Sequence, residues 1–457
     1  MGPQLLSRYK LPQESETTTP SRSEAENDKL RPSETPQRSK TNENPSPLLS
    51  PVSGTERWAP HWNLPQRESW VDLLRGLGRR PACSNKERRT FASLHRSLFS
   101  RYASTKWHAM AVSAPLWPPT FFYSCVAVVL FGLSWFAPIG TAVIGGVATF
   151  CLWEELRGSF RYSQLVFAPR STSYLSVVQE PKPEAPRLII CAGVDTPTGD
   201  LVYDSEPYDS WLRGAARQGI TPGLLLLIGV ASLPVFNLIR ISFSVPFPGY
   251  LIVAQGACLG GLCLLFYVTS ERKGNTTHNN VAVAAAIETY EQLSHIDMPF
   301  QTELLLMGCS SQGLGMESWI RQNSHRYPKE NTYILVVAPS ARTATHLYYR
   351  THEGPLQRIP MNNSVLSAAE QIALRFATEM NLDASPGPQR RFGSSMASVA
   401  NKHGYAAVTL GANFSSPTET PVAHHLVGWT VACAQSIGLT GKQQPTEQAS
   451  TENQRTS

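Results

Sequence analysis

Hydrophobic residues in this chain gather into a few runs separated by polar stretches. Four runs are long and uncharged or nearly so: Thr120–Phe136, Ile139–Trp153, Pro222–Ile239 and Gly249–Thr269. The last two have the length of a membrane-spanning helix, about 20 residues. The first two are shorter and are split by Pro138, which predicts either a tight hairpin of two spans or one long kinked span. Other apolar runs are short and end at Gly, Pro or polar residues. These predict strands over Tyr174–Gln179, Arg187–Ala192, Thr302–Met307, Tyr333–Val337 and Ala406–Leu410. Helical spacing predicts helices over Val281–Ser294, Gly315–Asn323, Val365–Met380, Met396–His403 and Val422–Ile437. The alternation implies an α/β domain with a largely parallel sheet and helices on both faces.

The domain occupies 170–219 and 270–440, so the apolar pair at 220–269 is inserted into it, and 111–156 forms a first transmembrane hairpin ahead of it. The run PRLIICAGVDTP, Pro186–Pro197, is the stretch around which the domain is organised. A hydrophobic strand that delivers a polar group, here Asp195, at its carboxyl end is how open α/β sheets build sites.

Composition changes the picture at the ends. Met1–Arg67 is rich in Pro, Ser, Thr, Glu and Asn and lacks apolar periodicity, which predicts disorder. The tail 441–457 reads the same way. Between Leu73 and Lys106 nine Lys and Arg stand against the single acid Glu87. An apolar segment follows, so 1–110 reads as a tail that becomes basic and juxtamembrane, and nucleic acid is not the expected partner. Phe91, Leu94, Leu98 and Tyr102 recur at helical spacing there, as in an amphipathic helix on an anionic membrane face. The basic residues beside the apolar runs favour an integral, multi-pass protein with its soluble domain in the cytoplasm. The eight cysteines show no CxxC and no pairing pattern, so buried packing is their expected role, Cys191 and Cys309 included.

Taken in order, SVVQEPKPEAPRLIICAGVD, NTTHNNVAVAAAIETYEQL, TELLLMGCSSQGLGMESWIRQN and FGSSMASVANKHGYAAVTLGANFSSPTETP resemble the M28 family of zinc aminopeptidases. The resemblance covers nearly all of the soluble domain and implies a three-layer α/β/α fold with two zinc ions at the strand ends. It also implies where their ligands would stand. At the first strand end the family has Ala-His-x-Asp; here Gly193 replaces the His and Asp195 keeps the acid. The bridging Asp corresponds to Asn279. The Glu pair of Gly-x-Glu-Glu corresponds to Ser310 and Ser311, the Asp after the next strand to Ala338, and the final His to Ser415. Zinc takes His, Cys and carboxylate, and none survives at a ligand position. No metal cofactor and no aminopeptidase activity of the family type are therefore expected.

Three other chemistries stand beside that expectation. Ser310 or Ser311 could serve a hydrolase as nucleophile, but neither sits in the G-x-S-x-G run of a nucleophile elbow, and His278 or His403 would have to supply the base. His278 could help to hold a metal at a shifted site, and His424 and His425 are equally open. The leading expectation is a membrane protein whose peptidase-like domain binds or scaffolds, with the lipid bilayer and a peptide or membrane protein as partners. An active hydrolase of altered chemistry is the alternative. Sequons stand at Asn275, Asn362 and Asn413.

Overall fold

The computed structural model describes residues 64–112, 119–157, 170–179, 185–196, 222–243, 276–310, 313–338, 340–341, 346–354, 359–361, 363–382, 384–391, 395–414 and 424–437. Among them are ten strands: β1 (Lys106–Val112), β2 (Arg170–Val178), β3 (Arg187–Gly193), β4 (Gln301–Met307), β5 (Thr332–Val337), β6 (Ser340–Ala341), β7 (Leu347–Glu353), β8 (Ile359–Pro360), β9 (Gly387–Arg391) and β10 (Ala406–Phe414). The helices are α1 (Leu64–Leu77), α2 (Asn85–Phe99), α3 (Pro119–Leu133), α4 (Pro138–Leu156), α5 (Pro222–Phe243), α6 (Thr276–Ser294), α7 (Leu314–Asn323), α8 (Ser364–Glu379), α9 (Met396–Lys402) and α10 (424–437).

The strands form one mixed sheet in the order β1–β2–β4–β3–β5–β10–β7–β8, with β6 beside β10 and β9 beside β7. The middle four, β4, β3, β5 and β10, are parallel. All seven residues of β4 are buried, as are Leu188–Gly193 of β3. Strands covered on both faces read as continuous apolar runs, which is why LIICA and LLLM carry no polar alternation. Helix α6 packs on β3, β4 and β5, and its Ala-rich centre lets it lie close. Three of the four remaining sequence-predicted helices of this region start at side-chain caps or a glycine turn. Asn363 accepts from Leu366 N for α8, and Ser395 and Ser398 form a capping box for α9. Gly313, at φ 74°, opens α7.

The main departure from the sequence reading lies in 64–112. This basic stretch is expected to be a juxtamembrane tail, but it contributes α1, α2 and a full strand to the fold. β1 pairs antiparallel with β2 from Lys106↔Ser176 to Val112↔Arg170. Phe91, Leu94 and Leu98, the apolar face of α2, are completely buried in the core. Helical spacing identified that face correctly; what covers it is the sheet. The antiparallel strand β7 also went unread, because Arg350 and Glu353 interrupt its apolar pattern. Both are buried, as an ion pair at 3.1 Å.

Helices α3 and α4 are separate and pack side by side, joined by 134–137, so the kinked single span does not form. Both also pack on α5. Arg240, near the end of α5, donates to Ser134 O at 3.0 Å, so α5 runs in the direction of α3. Gly145 lets α4 meet Pro234 of α5; a Cβ at Gly145 would stand 3.1 Å from the proline Cδ. By length and composition two helices qualify as membrane spans, Pro138–Leu156 and Leu224–Ser242, while Phe122–Leu133 is apolar but shorter. The run Gly249–Thr269 and the tails 1–63 and 441–457 lie outside the described residues.

One buried acid sits in the centre of the sheet. Glu303 of β4 accepts from Tyr327 Oη at 3.1 Å, and burial pushes its carboxyl up to about 7 against that bond. A carboxyl raised in the fold favours the native state while protonated, so its contribution is full below about pH 4.5 and is lost as pH rises to about 7. The Glu303→Gln variant should therefore gain on the wild type across that window, by about 3 kcal/mol in total. Thermal unfolding of both at pH 4.5, 5.5, 6.5 and 7.5 checks this; a pH-independent difference would refute it.

Candidate functional site

The carboxyl ends of β3 and β4 lie side by side, with Val194 N donating to Met307 O at 2.8 Å. Three of the sequence-predicted positions meet here. Gly193 ends β3, Asp195 follows it, and Ser310 leaves β4 beside them. Asp195 is completely buried. Its Oδ1 accepts from Ser310 N at 2.8 Å and from Ser310 Oγ at 2.5 Å. The serine hydroxyl has moved into the space in front of Gly193. A Cβ there would stand 2.0 Å from Ser310 Oγ and 2.6 Å from Ser310 Cβ. No residue but glycine fits position 193 while Ser310 keeps this place.

The other expected positions do not join this cluster. Ala338 ends β5, where its N–H donates to Leu410 O at 2.9 Å and its carbonyl accepts from Tyr348 Oη. Asn279 falls in the first turn of α6, and the described side chain next to it is Asn280. Ser311 and Ser415 lie outside the described residues. His403 is bonded to Glu317 at 2.5 Å, between α9 and α7. Cys191 points away from Cys309, toward Met396 Sδ at 3.6 Å.

What completes the site comes from the turn between α1 and α2, a segment the sequence reading left out. Arg80 is completely buried. Its Nε donates to Val194 O at 2.8 Å, Nη1 to Leu74 O and Gly78 O, and Nη2 to Asn280 Oδ1 at 2.6 Å. Its backbone is stitched to Thr196 in both directions. Burial lowers the guanidinium to about 10 while the Asp195 charge opposes the shift, so it remains a cation at neutral pH. Glu87, four residues beyond Cys83, accepts from Cys83 N at 2.8 Å, Thr172 Oγ1 at 3.0 Å and Cys309 N at 3.1 Å. Burial first, and Asp195 second, push its carboxyl up to about 8 in spite of these donors. Gly308 makes room for it: a Cβ there would stand 2.4 Å from Glu87 Oε1.

A sequence signal for this segment does exist. Ser84-Asn-Lys-Glu87 has the S-x-x-E form of a helix start, and Ser84 Oγ accepts from Glu87 N at 3.1 Å. Glu87 is also the lone acid in the basic run. Its side chain bypasses the cap residue and bonds Cys83 N instead.

Among the described residues, Asp195 is bonded to Ser310, Glu87 holds two amides and a hydroxyl, and Ser310 Oγ fills the space in front of Gly193. Among the described residues no group of three or more His, Cys, Asp or Glu is placed to hold a metal.

No protein-family model matches the chain, and no curated protein matches it. Solved structures similar to it are peptidases and glutaminyl cyclases. The glutaminyl cyclase of Macrostomum lignano is 10% identical, with 86% of this chain and 96% of that chain covered and a TM-score of 0.42. The LapA aminopeptidase of Legionella pneumophila is 10% identical, over 81% of this chain and 72% of that one, with a TM-score of 0.37. A zinc aminopeptidase of Bacillus subtilis is 13% identical, over 59% and 50%, with a TM-score of 0.31. Identities and scores this low carry no statement about the activity of this chain.

The close approach at Gly193 is testable by a double-mutant cycle. Gly193→Ala should cost about 1–3 kcal/mol by forcing Ser310 out of place. Ser310→Gly should remove most of that cost, a coupling of at least about 1 kcal/mol. Additive costs in denaturant unfolding would show that the two positions do not compete for the same space.

Proposed function

We propose that this chain is a membrane-inserted protein whose α/β domain has a peptidase-like framework without peptidase chemistry, and acts as a binding or scaffold module. The observation that carries this reading is Ser310 Oγ standing in the space a ligand side chain at Gly193 would need. Replacement of the ligands and closure of the site support each other: neutral Ser310 donates to Asp195, and Arg80 and Glu87 fill what is left. Hydrolysis needs an activated water or nucleophile. Ser310 is bonded to Asp195 rather than to an imidazole base, and His403 is bonded elsewhere.

The membrane part of the proposal rests on exposed apolar surface. A core helix hides its large side chains, whereas Phe136, Ile139, Val143, Val129 and Val147 on and between α3 and α4 are all more than half exposed. Val235 and Leu238 continue that surface on α5. A bilayer covers such a belt without cost. The hairpin geometry returns 119–157 to its starting side, and the basic flanks at Arg101, Lys106 and Arg157 favour the cytoplasmic face for the domain. The partner is then a membrane protein or peptide presented at that face.

Two measurements test the proposal. Detergent-purified chain, exposed to zinc and then exchanged into metal-free buffer, should retain far less than one zinc per molecule and cleave no amino-terminal residue from peptides. Two retained zincs with chelator-sensitive cleavage would overturn it, as would fluorophosphonate labelling abolished by Ser310→Ala. Expressed in a glycosylating cell, Asn275, Asn362 and Asn413 should carry no glycan; modification at any of them would place the domain in the lumen.

A further inference from the structure

We propose that Cys83 and Cys309 are a redox pair whose disulfide fastens the α1–α2 turn over the carboxyl ends of β3 and β4. They lie 226 residues apart in sequence, yet one carboxylate holds both backbones. Glu87 Oε2 accepts from Cys83 N at 2.8 Å and Glu87 Oε1 from Cys309 N at 3.1 Å. One carboxyl group thus holds the two backbones beside each other, and a disulfide needs its two segments at such close range. Both residues adopt positive φ, 58° and 52°, which turns each side chain off the regular path of its segment. Each thiol shifts the acidity of the other, as neighbouring side chains do. Both are reduced in the structure, Cys83 partly exposed and Cys309 buried.

The pair is asymmetric in the way thiol–disulfide exchange needs. The neighbouring Cys309 lowers the Cys83 thiol, burial opposes that shift, and Arg170 and Arg88 support it, so the reachable cysteine is the readier thiolate. Cys309 is held up by the neighbouring Cys83 and by burial, which suits a resolving thiol. The oxidant is a low-molecular-weight disulfide such as oxidised glutathione. The Cys83 thiolate attacks one of its sulfurs and releases one glutathione thiolate, leaving a mixed disulfide. Cys309 then loses its proton to that released thiolate, attacks Cys83 Sγ and expels the second glutathione. Two protein thiols are oxidised and one glutathione disulfide is reduced to two thiols.

The consequence follows from where the turn lies. Arg80 and Thr196 tie it to β3, and Glu87 ties it to β4. These are non-covalent ties to exposed neighbours, since Arg79, Lys86, Arg88 and Arg89 all reach solvent. In the reduced protein the turn opens by local unfolding. A covalent Cys83–Cys309 bond stops that opening and seals Asp195 and Ser310 beneath it. The proposal does not depend on the scaffold reading, because a catalytic crevice would be sealed equally.

The test uses the full chain in detergent. It is incubated with a glutathione buffer, reduced or oxidised, then digested and analysed for linked peptides. Trypsin cleavage after Arg79 and Lys86 is timed in parallel under native conditions. The expected result is a linked Cys83–Cys309 peptide in the oxidised sample and cleavage at least tenfold slower than in the reduced one, restored by dithiothreitol. Cys83→Ser, at the half-exposed position, should fold and lose both effects. Both thiols remaining alkylatable in oxidised, folded protein would overturn the proposal. So would a linked peptide with unchanged cleavage, or slowed cleavage that persists in Cys83→Ser.

Discussion

The Glu87 carboxylate is the joint on which this arrangement depends. One side chain from α2 satisfies an amide in the preceding turn, an amide at the end of β4 and a hydroxyl of β2. It therefore fastens three segments that are distant in sequence. The cost is visible in its acidity: removing a carboxylate from water beside Asp195 raises it to about 8. Such a group is tolerated because each donor would otherwise be buried without a partner, and an unmade buried hydrogen bond costs about 1–3 kcal/mol. Around this joint the basic segment 64–112 ceases to be a tail and becomes part of the sheet.

That joint stands beside a second set of contacts that closes the strand ends. A metal site needs its acids free to face the metal and its strand ends open. Here Arg80 occupies the space between β3 and α6, bonded to Val194 O and Asn280 Oδ1. Ser310 neutralises nothing, but it donates twice to Oδ1 of Asp195, once at the distance of a strong bond. While Ser310 keeps this place, no side chain larger than glycine fits position 193.

The parts of the fold legible in the sequence are those whose apolar pattern has one cause. LIICA, LLLM and ILVV are continuous because both faces of the central sheet are covered, and the observed strands match within one residue at each end. Positions Gly193, Asp195 and Ser310 were legible for the same reason: they follow such runs directly. The misread parts are those where one pattern has two possible causes. Phe91, Leu94 and Leu98 mark an apolar helix face, and neither spacing nor flanking charge says whether lipid or a sheet covers it. β7 is hidden because the buried pair Arg350–Glu353 looks like surface. Arg80, Cys83 and Glu87 reach the site only through tertiary contacts over more than a hundred residues. The Ser84–Glu87 helix-start pattern gave the helix but could not give its destination.

The apolar helices are not appended to the domain at random. Helix α4 ends at Glu154–Leu156 near Lys402, which closes α9 and feels the charges of Glu154 and Arg157. At its other end α9 begins with Ser395, bonded to buried Glu353, and Met396, against Cys191 of β3. A single short helix thus links the buried polar cluster of β7 and β10 to the strand that ends at Gly193. Short, capped and buried along Met396–Ala400, α9 is a stiff strut.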